Sequence, residues 1–589
     1  MVVVMVLCIQ KTAAMLKNME YVLGRSLFDK CMQHYFNQWK FAHPYPEDFR
    51  NSIIQYSGVD LNWFFDQWLE TTKKIDYKIG RVKRGKQKGE YLIKFKRKGD
   101  MQMPIDFAVI DKNDSAYMYH IPNTWFEKPV KSIVLPRWIG WGKVKPTYVA
   151  KVQLSGKLKN VIIDPSRRLA DVDMMNNVKH HRVNVTFDSK IYNPLDWKHY
   201  EIKARPSLWY NGYDGVKVGA HLNGGYMNTK HVFDLTAWFS SGLGQAFLDS
   251  TTKINNYNVF SFLLNYRTST AKFIKKSTIY MTLKSLDGLE SGLIGFEKKS
   301  NNDKNRIYIQ YKAMVRDMPN DLVYLINQKE WQIQKMNSYL NVGIDHNYNY
   351  NRGVGFMNLN MRASALTRDY DYSNIQYTAI NKNDLGKINI NTRVFAQLGF
   401  GSQLADESML FAAGANPEEL MDNKYTRSNG FIPPEWGKYG AITNHFTAGG
   451  GLNLRGYSGY VLAAEDANGV IGNNYKGTSG ASASAEIEFG ELFSFMNIKQ
   501  LNNSIKINPY LFADAGTINI NAPNKATVMS NLMADAGVGI AVSIQKWGPL
   551  YGLKPLTIRF DMPLFINRLP FAEKDYFQAR WMIGINRAF

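Results

Sequence analysis

Two cysteines in 589 residues, Cys8 and Cys31, leave no disulfide framework and no paired-cysteine metal knuckle. No stretch of ~18 consecutive apolar residues occurs, so a transmembrane helix is excluded. A β-barrel crosses a bilayer without such runs and is not excluded. The opening MVVVMVLCIQ lacks a basic start and a small-residue cleavage site, which makes it a poor signal peptide. None of the ten histidines is followed by glutamate, so the helical zinc motif HExxH is missing. Acidic residues are scarce, 50 against 72 basic, for a formal charge of +22. Such a charge first suggests nucleic acid. The densest cluster, KIGRVKRGKQKGEYLIKFKRKGD (78–100), alternates lysine with apolar residues. That is the pattern of a hairpin with one solvated face, so no nucleic-acid partner is expected. An anionic lipid surface is the remaining reading of the charge.

What is present changes along the chain. Leu16, Met19 and Leu23 recur at helical spacing, as do Phe28, Met32, Tyr35, Phe36 and Trp39. Pro44 and Pro46 interrupt, and Leu61, Phe64, Phe65, Trp68 and Leu69 resume the stripe. Residues 75–175 read as short strands with turns at Gly85, Gly89, Gly99 and Asn113–Asp114, a compact β-sandwich. The adjacent histidines of KHHRVNV (179–185) point to opposite faces of any strand, so this stretch reads as a linker.

From about residue 195 the strands lengthen, with one apolar face and one polar or tiny face. In GVGFMNLNMRASALT, Met357, Leu359, Met361, Ala363 and Ala365 oppose Asn358, Asn360, Arg362 and Ser364. In AGVGIAVSIQ, Val538, Ile540, Val542 and Ile544 oppose Gly537, Gly539, Ala541 and Ser543. In LTIRFDMPL, Arg559 and Asp561 sit mid-strand opposite Leu556, Ile558, Phe560 and Met562. A lipid-facing exterior around a polar lumen explains charges placed mid-strand opposite a continuous apolar face. The segments number roughly sixteen. The last, YFQARWMIGINRAF, puts Trp581 and Phe589 on its apolar face and is expected to close the barrel. The predicted fold is mostly β: a short N-terminal α-helical segment (1–74), a β-sandwich domain (75–180) and a C-terminal transmembrane β-barrel of about 16 antiparallel strands (181–589).

Residues 446–589 resemble the bacterial surface-antigen barrels, the outer-membrane barrel-assembly factors and two-partner-secretion translocators. Leu454-Arg455-Gly456-Tyr457 matches their loop tip, V/L-R-G-F/Y, on a sixth extracellular loop folded into the lumen. Five strand-like segments follow it, 477–494, 504–520, 532–545, 556–568 and 576–589, as the family arrangement requires. LFADAG (511–516) is similar to the family's F-x-D-x-G strand, whose aspartate faces the loop arginine. The resemblance implies an inward-folded loop near 446–465, locked by Arg455, Gly456 and Tyr457 against Asp514. Asp561 and Glu486 are the second choices for the arginine's partner. A guanidinium in a narrow lumen loses water and needs a carboxylate in return. A phosphate cradle in GGGLNLRGYSG lacks the Lys-Ser/Thr ending and a following helix.

The first 70 residues resemble the end of the catalytic domain of aminopeptidase N-type zinc metallopeptidases, the gluzincins. The matching pieces are K-x-A-x-ML, LG-x-x-x-F, W-K-F-x-HP-x-x-x-DF and WFFDQWL. VIIDPSRRLADVDMMNN (161–177) is similar to the close of the sandwich domain that follows in bacterial members. The zinc ligands and the general base have no counterpart here. The family's transition-state tyrosine, two residues before the lysine matching Lys11, is replaced by Ile9. His43 and Asp48 fall on helix-packing positions. The expected identity is therefore an outer-membrane-anchored remnant of a zinc aminopeptidase-like enzyme, inactive as written. It has no catalytic or metal residue of its own, and zinc is expected only in an intact relative. The opening MVVVMVLCI, fitting neither family, suggests an incomplete or shifted reading frame. The alternatives are a surface-antigen-type translocator or insertase, a passive barrel anchor, or a soluble β-rich binding protein. Outer-membrane lipid and the barrel-assembly machinery are the implied partners. The N-terminal domains are expected in the periplasm.

Overall fold

A computed structural model of the chain describes residues 2–140, 144–180, 183–188, 196–245, 259–316, 322–367, 369–429, 432–437, 444–460, 462–465, 471–490, 492, 504–520, 528–545, 555–569 and 574–589. It divides into two compact units. One is Met1–Asn184 with Leu195–Glu201, the other Val185–Pro194 with Ile202–Phe589.

The first unit opens with four helices, α1 (Val2–Leu23), α2 (Arg25–Trp39), α3 (Pro46–Ser57) and α4 (Asn62–Leu69). Helix α3 starts on Pro46, where a missing N–H costs nothing. It stops at Gly58, whose φ of 66° caps it in the left-handed region. Two sheets follow. One holds Tyr77–Arg84, Glu90–Arg97 and Thr147–Gln153. The other holds Ile105–Asp111, Ala116–Ile121, Ile133–Val134 and Leu158–Ile163. The helices do not bury a core of their own. Ile53, Phe64 and Phe65 join Ile93, Phe95, Phe107 and Val109 in one continuous apolar core. A polar tie crosses it: the Tyr21 hydroxyl of α1 accepts from the Asp106 amide at 2.7 Å. The Asp106 carboxylate takes Lys128 Nζ at 2.6 Å and His120 Nδ1 at 2.7 Å.

Asp171 gives this unit a pH dependence. Its carboxylate accepts from the backbone amides of Tyr77 (2.9 Å) and Asp173 (2.8 Å). Burial pushes its carboxyl up to about 7, and nearby Asp76 pushes the same way, against those amides and Asn177. The native state therefore binds the extra proton, and the stabilisation is complete below the usual aspartate value of about 4. It is lost as pH rises through 7. Hydrogen exchange at the Tyr77 amide, corrected for intrinsic rate, is expected to show protection falling between pH 5 and 8. An Asp171→Asn chain should lose that slope.

The second unit is a closed barrel. Its long strands are β1 (Tyr200–Asn211), β2 (Gly215–Tyr226), β3 (Lys230–Ser240), β4 (Phe260–Ser269), β5 (Ser277–Leu286), β6 (Leu289–Lys299), β7 (Asn305–Val315) and β8 (Asn337–Tyr350). Next come β9 (Gly353–Ser364), β10 (Asp371–Asp384), β11 (Asn389–Gln403), β12 (Gly480–Glu488), β13 (Ile505–Ile520), β14 (Met533–Ile544), β15 (Leu556–Ile566) and β16 (Met582–Ile585). From β2 to β16 each strand pairs antiparallel with the next in sequence. The short segments Val183–Phe187, Phe446–Ala448 and Val528–Met529 belong to the same barrel.

Connections alternate between the two ends, as a meander requires. Very short turns join β2 to β3 and β8 to β9, whereas β11 and β12, neighbours in the sheet, are separated by residues 404–479. Period-two alternation sorts the side chains. Ile294, Ile307, Met361, Val394, Leu398 and Phe400 on the outside are 49–61% exposed. Lys312, Arg393, Glu486, Asp514, Arg559 and Asp561 on the inside are at most 7% exposed. This inverts the arrangement of a soluble protein.

The closing strand is shorter than the sequence pattern predicts. Its continuous ladder with β15 covers Met582–Ile585, and an isolated antiparallel bridge, Phe577 to Phe565, adds a second point of pairing. Asn586 turns out of the strand with φ 67°, so Phe589 lies beyond it, and Trp581 immediately precedes it. Trp581 instead stacks on His445 at 3.9 Å between centroids. Phe446–Ala448 runs parallel alongside β16. Part of the expected segment 477–494 falls on residue 491 and residues 493–494, outside the described residues.

Candidate functional site

Within residues 404–479, two described stretches meet the inner wall of the barrel, at two poles. The first is GGGLNLRGYSGY (449–460). Gly451 and Asn453 take φ of 52° and 60°, which folds the chain sharply enough to aim Leu452 and Leu454 inward. Both leucines are fully buried, packed with Phe395, Leu410, Ile518, Met533 and Ile566. Leu454→Ala is the kind of core truncation that costs about 2–5 kcal/mol. A short 3-10 turn, Arg455–Tyr457, follows.

Arg455 is 2% exposed. Its Nε and Nη2 donate to the two carboxylate oxygens of Asp514 on β13 at 2.7 and 3.0 Å, a forked pair. Its Nη1 donates to Glu486 Oε1 on β12 at 2.8 Å. The guanidinium also lies over the Phe512 ring, 3.8 Å from its centroid. Glu486 spends its second oxygen on Arg587 Nη2 at 2.5 Å. Asp561, the other second-choice partner, does not reach Arg455. It binds Arg559 and the Tyr510 hydroxyl. Tyr457 donates to Asn567 Oδ1 at 2.9 Å and accepts from the Arg568 amide at 3.2 Å.

Gly456 is needed for space. A Cβ there would stand 2.5 Å from Asp535 Cβ and 2.8 Å from Ile566 Cγ2. Gly456→Val is expected to unseat the tip while leaving every charge in place. Limited proteolysis within 449–460 should then rise in the folded barrel.

The second pole was not legible as a site in advance. Asn416-Pro417-Glu418-Glu419 starts a four-residue helix, Pro417–Leu420, capped by Asn416 accepting from the Glu419 amide at 2.9 Å. Glu418 is 3% exposed and is the hub of a cationic wall. Its Oε1 takes Lys312 Nζ of β7 at 2.6 Å and the Tyr339 hydroxyl of β8 at 2.5 Å. Its Oε2 takes Arg362 of β9 at 2.8 Å and Ser408 Oγ at 2.6 Å. Asp422 adds Lys284 of β5 at 2.7 Å, and the Gly451 carbonyl accepts from Arg393 of β11 at 2.7 Å. The sequence signal was there: a capping box with two acids inside the apolar stretch FAAGANPEELM.

The wall is thus bipolar. Strands β5, β7, β9 and β11 offer Lys284, Lys312, Arg362 and Arg393, and β12–β15 offer Glu486, Glu488, Asp514, Asp535 and Asp561. The loop answers Lys284, Lys312 and Arg362 with Asp422 and Glu418, and Arg393 with a carbonyl. It brings Arg455 to the second side, where β15 adds its own Arg559 beside Asp561. Among the described residues, no group of His, Cys, Asp and Glu is arranged to hold a metal ion.

The chain matches no protein-family profile and no curated protein sequence. Among solved structures it is similar to BamA from Haemophilus ducreyi lacking POTRA domains 1–3, at 10% identity and a TM-score of 0.33, over 95% of this chain and 96% of that one. It is also similar to CdiB from Acinetobacter baumannii, at 10% identity and TM-score 0.29, over 87% of this chain and 65% of that one. Legionella pneumophila aminopeptidase A in complex with aspartic acid matches at 14% identity and TM-score 0.21, over 28% of this chain. The chain spans 17% of that aminopeptidase's length. At these TM-scores none of the likenesses assigns a family or an activity.

Proposed function

We propose that the chain is an outer-membrane barrel of the translocator or insertase kind, whose lumen is held shut by its own residues 404–479. The observation that carries this reading is the Arg455 clasp. A nearly fully buried guanidinium is held by Asp514 and Glu486 on the inner wall of a barrel whose outside is apolar. A loop resting on a solvated surface would not need two carboxylates to balance one arginine. The Leu-Arg-Gly-Tyr tip on the connection between β11 and β12 supports the same reading. So does the apolar exterior, which suits a bilayer and would aggregate in water.

The peptidase-remnant reading becomes secondary. It rests on the motifs of residues 11–69, and the unit built from them supplies no HExxH. The N-terminal unit then acts as a periplasmic, non-hydrolytic module. The substrate class that follows from a translocator or insertase is polypeptide.

The test is the behaviour of the chain exported with an added signal sequence. Expected is recovery in the outer-membrane fraction, resistance to carbonate extraction, and faster gel migration unboiled than boiled. Recovery of folded chain in the aqueous phase without detergent contradicts the proposal.

A further inference from the structure

The positive charge of the chain is concentrated. Residues 1–184 hold 31 of the 72 Lys and Arg but only 17 of the 50 Asp and Glu. Five of these residues, all lysines, share one face of the three-stranded sheet. Register places the face in rows. Lys83, Leu92 and Lys151 stand side by side across the three strands. Lys94 stands beside Val149, and Lys78 and Lys96 stand directly opposite one another beside Thr147. All five lysines are exposed, and Val149, between their rows, is 56% exposed. Lys151 reaches Glu90 at 3.3 Å. Among the described residues no acid pairs with Lys78, Lys83, Lys94 or Lys96. Like charges directly opposite in a sheet destabilise it. A solvated face needs polar residues but not five of one sign with Lys78 directly opposite Lys96.

We propose that this face docks on a bilayer leaflet bearing anionic phosphate headgroups. The proposal rests on the barrel reading, which tethers the unit beside a membrane and raises its effective concentration there. The chemistry fits. Lysines are compact point charges suited to headgroup phosphates, and Leu92 with Val149 supplies an apolar centre for the interface. The face offers no aromatic stacking platform of the kind single-stranded nucleic acid uses.

The experiment uses the full chain in nanodiscs of phosphatidylcholine and measures binding to separate vesicles. Expected is tight, salt-sensitive binding to vesicles containing phosphatidylglycerol and none to pure phosphatidylcholine. Changing Lys78, Lys83, Lys94 and Lys96 to Gln should weaken binding about fivefold per lysine. Changing the exposed Lys11, Lys30, Lys40 and Lys73 to Gln should leave it intact. Thermal melting confirms that both variants are folded. Equal binding to neutral vesicles, wild-type binding by the first variant, an equal loss in the second, or tighter lysine-dependent binding to duplex DNA would each overturn the proposal. Failure to enter nanodiscs counts against the barrel reading alone, because the same vesicle assay runs on the free chain.

Discussion

An Arg455→Ala chain should keep its barrel and lose the seat of its inner loop. Asp514, 2% exposed, would be left opposite Asp535 without the cation that balances it, while Glu486 would keep only Arg587. Removing one partner of a buried pair costs about 3–5 kcal/mol, because the other charge stays buried. The barrel is held by strand pairing from β2 to β16, which Arg455 does not touch. The loss is therefore expected to be local. Hydrogen exchange in residues 449–460 should accelerate steeply, while the amides of β12 and β13 stay protected. Arg455→Lys should recover part of the loss. A lysine supplies the charge but cannot fork across both Asp514 oxygens while donating to Glu486. Unchanged exchange at the tip in Arg455→Ala would show that Leu452 and Leu454 seat it unaided.

Glu418→Gln should produce a loss of similar size at the other pole. Lys312 and Arg362 both reach the Glu418 carboxylate, so neutralising it leaves two cations beside each other in a site with little water. Breaking such a buried pair again costs about 3–5 kcal/mol. Gln keeps one acceptor oxygen, which places the change at the lower end of that range. The two poles share no ion-pair partner, so the free-energy losses of Arg455→Ala and Glu418→Gln should add within about 0.5 kcal/mol. Urea-dependent proteolysis of residues 404–479 in the single and double variants measures this. Strong non-additivity would mean that the loop moves as one rigid piece.

How far the sequence could be read differs between these poles. The alternation of apolar and polar residues exposes each strand's inner and outer face, because strand geometry has period two and the barrel has one polar side. Arg559 and Asp561 mark the inside by residue type alone. The Arg455 tip and its Asp514 partner were legible only through the resemblance of Leu454-Arg455-Gly456-Tyr457 and LFADAG to the surface-antigen barrels. Glu418 was not, because an acid near a helix start is usually explained by capping. Its role appears only when Lys312, Tyr339 and Arg362 converge on it from three separate strands. Helices are visible in spacing from residue 11 to 70, while α1 in fact begins at Val2, and their core is shared with the sandwich. Spacing within one element says nothing about its partner. The end of β16 at Ile585 coincides with the positive φ of Asn586, which the residue type permits without dictating.

The central proposal is that the connection between β11 and β12, clasped at Glu418 and Arg455, closes the lumen of a membrane-inserted barrel. Single-channel recording in planar bilayers tests it most directly, with the wild type beside the Arg455→Ala/Glu418→Gln double variant. The wild type should insert and stay almost silent, and the double variant should conduct steadily at the level of a wide, water-filled pore. A wild type that already conducts at that level, or a double variant that inserts and remains silent, would contradict the account.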